Sequence, residues 1–160
     1  MNSTHIIKTH QIIDDAKLTI INTFVNNDNN PTIKVIQNFI IINFDIDISI
    51  DQDIILGFSR DWSNLPGKAD ILARPRTEED CAILLYTFNS LKLPVTISAG
   101  KTNLTGSATP NGGLIISIVN MLIPQTCVDN NTKIANVAVG AILENIRDEI
   151  LFQSKRKLYY

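Results

Sequence analysis

The chain has 160 residues, 44% of them apolar and 19% charged, with 14 basic and 16 acidic side chains and a net charge of −2. About 150 residues suffice for one core, since a domain of that size removes roughly two-thirds of its unfolded surface from water. This balance excludes a disordered chain, offers no basic face for nucleic acid, and holds no run of about 18 apolar residues such as a transmembrane segment requires.

Cys81 and Cys127 lie far apart and form no CxxC pair, so reduced, buried thiols in an intracellular, cytoplasmic chain are expected. The opening Met1-Asn2-Ser3-Thr4-His5 lacks the cationic and long apolar segments of a secretory signal. The 27 isoleucines and 17 asparagines exceed ordinary usage and fit a bias toward AT-rich codons. The tract Asn26-Asn27-Asp28-Asn29-Asn30 is too short to act as a prion-like segment.

Residues 1–50 read as an N-terminal extension with one strand. From His5 to Phe24 the apolar residues follow no single period, and the Asn-rich tract with Pro31 makes a loop. Phe44, Ile46, Ile48 and Ile50 alternate with polar residues, the period of a strand with one buried face. From Asp51 onward the pattern is orderly. Asp61-Trp62-Ser63-Asn64 and Pro66-Gly67 mark a loop, and Ala69–Ala73 is a short strand stopped by Pro75. Thr77 opens a helix with Asp80 completing a capping box, and Cys81, Leu84, Leu85 and Phe88 form its core stripe. Pro94 ends the connection to a strand at Val95–Ile97. A Gly-, Ser- and Thr-rich loop runs from Ser98 to Asn111 and leads to a buried strand, Leu114–Val119. Ile134–Val139 is a further strand with Ala135, Val137 and Val139 on one side, and Gly140 punctuates its end. Ile142, Ile146 and Ile150 give a last helix its face. The fold class is α+β, without internal repeats.

The informative segment is Ser98-Ala99-Gly100-Lys101-Thr102-Asn103-Leu104-Thr105-Gly106-Ser107. Its glycines permit close approach to the backbone, its hydroxyls and amide are donors, and successive N–H groups in such turns form anion-binding nests. On the residues alone it is a candidate phosphate loop or a plain connection between strands. A Walker A loop needs glycine where Val95 stands and a helix where Pro110 and Gly112-Gly113 follow; a Rossmann GxGxxG is absent. Asn103-Leu104-Thr105 fits a glycosylation sequon, but no secretory signal accompanies it. His5 and His10 read as surface residues, and Lys155-Arg156-Lys157 as a solvated charge run. No catalytic residue and no metal cluster emerges.

Residues 51–160 resemble the first half of the FAD-binding domain of the vanillyl-alcohol oxidase/para-cresol methylhydroxylase (PCMH) flavoproteins, nearest the D-lactate dehydrogenase and glycolate oxidase subunits. The resemblance rests on Arg60-Asp61-Trp62-Ser63, Ala73-Arg74-Pro75-Arg76-Thr77-Glu78-Glu79-Asp80, Pro94-Val95, the glycine loop, and Thr109-Pro110-Asn111-Gly112-Gly113-Leu114-Ile115-Ile116-Ser117. It implies the first α/β subdomain of a PCMH-type domain, truncated, in an FAD-linked oxidoreductase acting on a small 2-hydroxy acid such as D-lactate or glycolate. By resemblance, Ser98 to Gly106 wrap the FAD pyrophosphate, and Gly140 lies close to the cofactor. Ala99 and Lys101 stand where glycines are common, and Lys101 offers a cation to the pyrophosphate. Thr102 holds the place of a histidine that bonds covalently to the flavin in some relatives, so noncovalent FAD is implied. The catalytic and substrate-cap regions of the family lie beyond the matching part, so this chain is expected either to belong to a larger oxidoreductase, to be a non-catalytic remnant, or to complete its FAD site with a companion chain.

Overall fold

The computed structural model describes residues 12–155. His5, His10, Arg156 and Lys157 lie outside them. The order of elements is α1 (Asp15–Asn27), α2 (Ile33–Phe44), β1 (Asp47–Ser49), α3 (Gln52–Leu56), β2 (Ile71–Arg74), α4 (Glu78–Ser90), β3 (Val95–Ser98), β4 (Leu114–Ser117), β5 (Cys127–Asp129), β6 (Ile134–Asn136) and α5 (Leu143–Gln153).

Local chemistry sets the helix starts. The Asp14 carboxylate accepts from the Ala16 N–H at 2.8 Å to cap α1, and the Thr32 hydroxyl accepts from Val35 N–H to cap α2. At α4 the capping box expected from Thr77 and Asp80 is present in both directions. Asp45 ends α2 in the left-handed region, at φ 54°.

Four strands form one sheet in the order β1-β2-β4-β3, with β2, β4 and β3 parallel and β1 antiparallel at the edge. Each residue of β4 and the first three of β2 are buried, because both faces of the sheet are covered. On one face Ile71, Ala73, Leu114 and Ile116 pack with Ile21, Ile36, Ile40, Leu84 and Phe88 of the helices. On the other, Leu72 and Ile115 meet Ile55 of α3, Ala69 and Phe58. The rings of Phe24 and Phe39 stack at 3.8 Å, and Lys17 reaches Glu79 of α4 at 2.7 Å. A separate antiparallel pair, β5–β6, carries α5 against β5.

Several local expectations change. The alternation at 44–50 yields a strand only at 47–49, because Phe44 belongs to α2; Ile46 and Ile48 are buried as the period requires. Helix α1 covers the second half of the stretch that follows no single period and takes Asn26 and Asn27 from the expected loop, and α2 takes in the apolar run Phe39–Ile42. The core stripe of α4 is broader than the 3/4 spacing indicates: Ala82, Ile83 and Thr87 join Leu84 and Phe88, while Cys81 and Leu85 are half-buried. Neither thiol is buried as expected, since Cys127 stands exposed at the start of the short β5. Strand β4 stops at Ser117, where Ile118–Asn120 tightens into a 3-10 turn. Past Asn136 the chain leaves β6, and Ala138 turns inward while Val137 and Val139 face out. In α5 only Ile150 is buried, and Ile142 stands exposed at the N-cap. Among the described residues no helix is long and apolar enough to cross a membrane.

Candidate functional site

Because β3 and β4 are parallel neighbours, the chain leaving Ser98 must return the length of a strand before it enters Leu114. It does so through residues 99–113 without a helix. The returning end is stitched to the approach to β2: Lys68 N–H donates to Pro110 O at 3.0 Å, Gly112 N–H to Lys68 O at 2.6 Å, and Gly113 N–H to the Asp70 carboxylate at 2.7 Å. Only glycine fits at 113, where φ is 66° and a Cβ would lie 2.1 Å from Pro94 O.

The middle of the loop is tied to itself and to residues 61–65. Asn103 Nδ2 donates to Ser107 Oγ at 2.7 Å and to Thr105 Oγ1 at 3.3 Å, and Thr109 N–H donates to Gly106 O at 3.0 Å. The buried Asp61 carboxylate accepts from the Ser63 hydroxyl, from Ser63 N–H at 2.9 Å and from Ala108 N–H at 3.4 Å. These bonds, the Ser63 hydroxyl foremost, hold its pKa below the usual carboxylate value against the opposing effect of burial.

The start of the loop faces a cavity of about 710 Å³. Ala99, Gly100 and Thr102 form one wall, Val119 and Leu122 a second, and Val139, Gly140 and the start of α5 the third. Gly140 is pinned there by its N–H to Met121 O at 3.0 Å, and a Cβ on it would stand 2.3 Å from Ile118 O. Gly100 is different: it lacks a positive φ, and the nearest atom to an added Cβ, Thr102 Cγ2, is 3.9 Å away. Neither its backbone nor its neighbours demand glycine, so its bare surface is room beside the cavity. The N-terminus of α5, which has no side-chain cap, opens beside the same cavity.

Lys101 has φ 58°, a region where glycine is the usual occupant. Its ammonium donates to Gly57 O at 2.6 Å and lies 4.9 Å from the centroid of the Phe58 ring, while its carbonyl accepts from Trp62 N–H. The charge is thus engaged on α3, and Lys101 is absent from the cavity wall. Of the loop positions singled out by sequence, Ser98 is buried, Ala99, Gly100 and Thr102 meet Gly140 across the cavity, Asn103, Thr105 and Gly106 belong to the turn beside 61–65, and Leu104 is exposed. Sequence reasoning did not assign Asp61, Val119, Leu122 or Asn145 to the site. The Asp61-x-Ser63 spacing, a side-chain-to-backbone turn signature, is the one local signal that could have found any of them.

Four buried hydroxyls have no hydrogen-bond partner among the described residues: Thr87, Ser98, Thr109 and Ser117. Three of the four bracket or belong to the glycine loop. Among the described residues no group of three or more His, Cys, Asp or Glu side chains is placed to hold a metal ion.

A family model described as an FAD binding domain matches residues 69–153. The chain is 30% identical over 97 residues to a mitochondrial D-2-hydroxyglutarate dehydrogenase of Danio rerio, covering 60% of this chain and 18% of that protein. It is 28% identical over 101 residues to a putative mitochondrial D-lactate dehydrogenase of Schizosaccharomyces pombe, covering 62% of this chain and 19% of that protein. The chain therefore spans less than a fifth of the length of these relatives. Its fold is similar to that of a glucooligosaccharide oxidase from Acremonium strictum, with a TM-score of 0.59 at 19% identity over 72% of this chain and 24% of that one. That oxidase carries a 6-S-cysteinyl, 8α-N1-histidyl FAD.

Proposed function

Because the chain belongs to the FAD binding domain family, we propose that it holds FAD noncovalently, as part of an oxidoreductase acting on a small 2-hydroxy acid of the D-lactate or glycolate type. The observation that carries the reading is the meeting of Gly100, bare without internal cause, with Gly140 across a cavity at the carboxyl ends of parallel strands.

The residues present fit the cofactor. Within the loop, the orphaned hydroxyls of Ser98 and Thr109 are donors seeking an acceptor, as a pyrophosphate would supply. Ser98 through Gly106 form the proposed cofactor loop, with Ala99, Gly100 and Thr102 at the cavity and Lys101, Asn103, Leu104 and Thr105 shaping it. Gly140 lets the opposite wall close on Ile118 and Met121. The uncapped amides of α5 favour an anion nearby. The apolar walls at Val119, Leu122 and Val139 exclude water and suit a ring system. When bound, FAD supplies hydride acceptance from the substrate carbon. The noncovalent state is proposed because Thr102 stands where the resemblance puts a flavin-bonding histidine. In this reading residues 51–160 are the cofactor segment, residues 1–50 lead into it, and two free thiols suit a cytoplasmic location.

A second reading, completion of the site by a companion chain, is favoured by the exposure of Leu122, Ile142 and Leu143 around the cavity. The test is titration of the purified chain with FAD, followed by flavin fluorescence and by melting temperature, then acid precipitation. Saturable binding with all flavin released into the acid supernatant supports the reading. A chain that neither quenches flavin nor melts higher with it refutes binding by this chain, and flavin retained in the pellet refutes the noncovalent state.

A further inference from the structure

The register of the sheet sets Ser98, the last residue of β3, directly beside Ser117, the last residue of β4. Both are 0% exposed, and neither hydroxyl has a partner among the described residues. Side chains alternate along strands, so the two serines share a face with Thr96, Ile115 and Leu72. That face is the one covered by Ile55 and Phe58, where the ammonium of Lys101 is engaged. The glycine loop thus crosses the same side of the sheet as the two hydroxyls. The residues that follow them, Ala99 and Gly100 in one chain segment and Val119 in the other, line the cavity.

Leaving a buried hydroxyl unpaired costs free energy in the folded chain, so two adjacent orphans at paired strand ends call for an acceptor from outside. We propose that Ser117 pairs with Ser98 as a two-hydroxyl donor site for a phosphate oxygen held by the glycine loop. This rests on the FAD reading above and extends it to a residue on the neighbouring strand. The acceptor is a phosphodiester or pyrophosphate oxygen, since a hydroxyl donating to a charged oxygen gains most. Neither serine lines the cavity, so entry of that oxygen requires the first residues of the loop to give way.

The experiment compares the parent chain with Ser117→Ala, Ser98→Ala and, as a control, Thr87→Val, measuring melting temperature without ligand, FAD affinity, and the melting shift produced by inorganic pyrophosphate. Thr87 is also buried and unpartnered, but it faces the helical core away from the loop. Both serine variants are expected to melt at or above the parent temperature without ligand. They bind FAD about tenfold more weakly, the effect of one hydrogen bond to a charged group, and lose most of the pyrophosphate shift. Thr87→Val also holds or raises the melting temperature but leaves FAD affinity and the pyrophosphate shift unchanged. A Ser117→Ala chain that binds FAD within twofold of the parent overturns the proposal while the FAD reading stands. A marked loss of ligand-free stability in Ser117→Ala, which would reveal a structural partner for the hydroxyl, overturns it too. If the parent ignores FAD but shifts with pyrophosphate, and Ser117→Ala loses that shift, the FAD reading fails and the anion site stands. A parent that responds to neither ligand overturns both.

Discussion

Gly100 and Gly140 stand on facing walls of one cavity, and an added methyl group should have opposite consequences at the two positions. At Gly140 the new Cβ would lie 2.3 Å from Ile118 O, 2.9 Å from Met121 O and 3.2 Å from Met121 N. All three are backbone atoms, so the turn must retreat by about 1 Å to reach ordinary contact, stretching the bond from Gly140 N–H to Met121 O. Overpacking of this kind costs about 1–3 kcal/mol, and loss of glycine freedom in the unfolded chain returns about 0.4–1 kcal/mol. Gly140→Ala should therefore destabilise by about 1–2 kcal/mol, a fall in melting temperature of about 2–8 °C for a chain of this length. At Gly100 the nearest atom is 3.9 Å away and φ is not positive. Gly100→Ala should leave the melting temperature unchanged or slightly higher, while its methyl group takes up room at the cavity wall and weakens FAD by about tenfold or more. Thermal melts and flavin fluorescence titrations of the two variants read both effects. A Gly100→Ala chain as unstable as Gly140→Ala, or a Gly140→Ala chain melting within about 1 °C of the parent, would falsify the assignment of one glycine to packing and the other to the ligand.

Asp61 makes the fold acid-sensitive. Its folded pKa is depressed, so its stabilising contribution is complete above the unfolded value near 3.9 and is lost as pH falls below it; between about pH 5 and pH 3 the parent should lose melting temperature more steeply than Asp61→Asn. Removing the α4 cap with Thr77→Ala should cost about 1 kcal/mol in urea denaturation without altering FAD affinity, because α4 lies on the far face of the sheet; a large affinity loss would show that the helix start reaches the site. Lys101→Met should lower the melting temperature by removing the bond to Gly57 O yet leave FAD affinity within about threefold, and a greater loss would return the ammonium to the pyrophosphate.

Elements whose cause is local were legible in the residues alone. Thr77 and Asp80 sit three residues apart, and that spacing alone builds the capping box of α4. Pro75 and Pro94 bound β2 and β3, and the glycine loop is recognisable from its composition and from its place between two strands. Helices α1 and α2 were not legible, because isoleucine is so abundant that apolar residues fall on every face and blur the helical period. Segment 134–139 alternates as one strand, yet β6 ends at Asn136, because Gly140 folding onto Ile118 and Met121 draws the chain away and brings Ala138 inside. Tertiary structure alone decided the division of the glycine loop, with Gly100 and Thr102 at the cavity, Lys101 drawn off to α3, and Asn103 to Ser107 locked beside Asp61. Those fates depend on carbonyls and carboxylates supplied from more than forty positions earlier in the chain. The pairing of Ser98 with Ser117 is likewise a matter of sheet register, since strands that are neighbours in space place their side chains together whatever their separation in sequence.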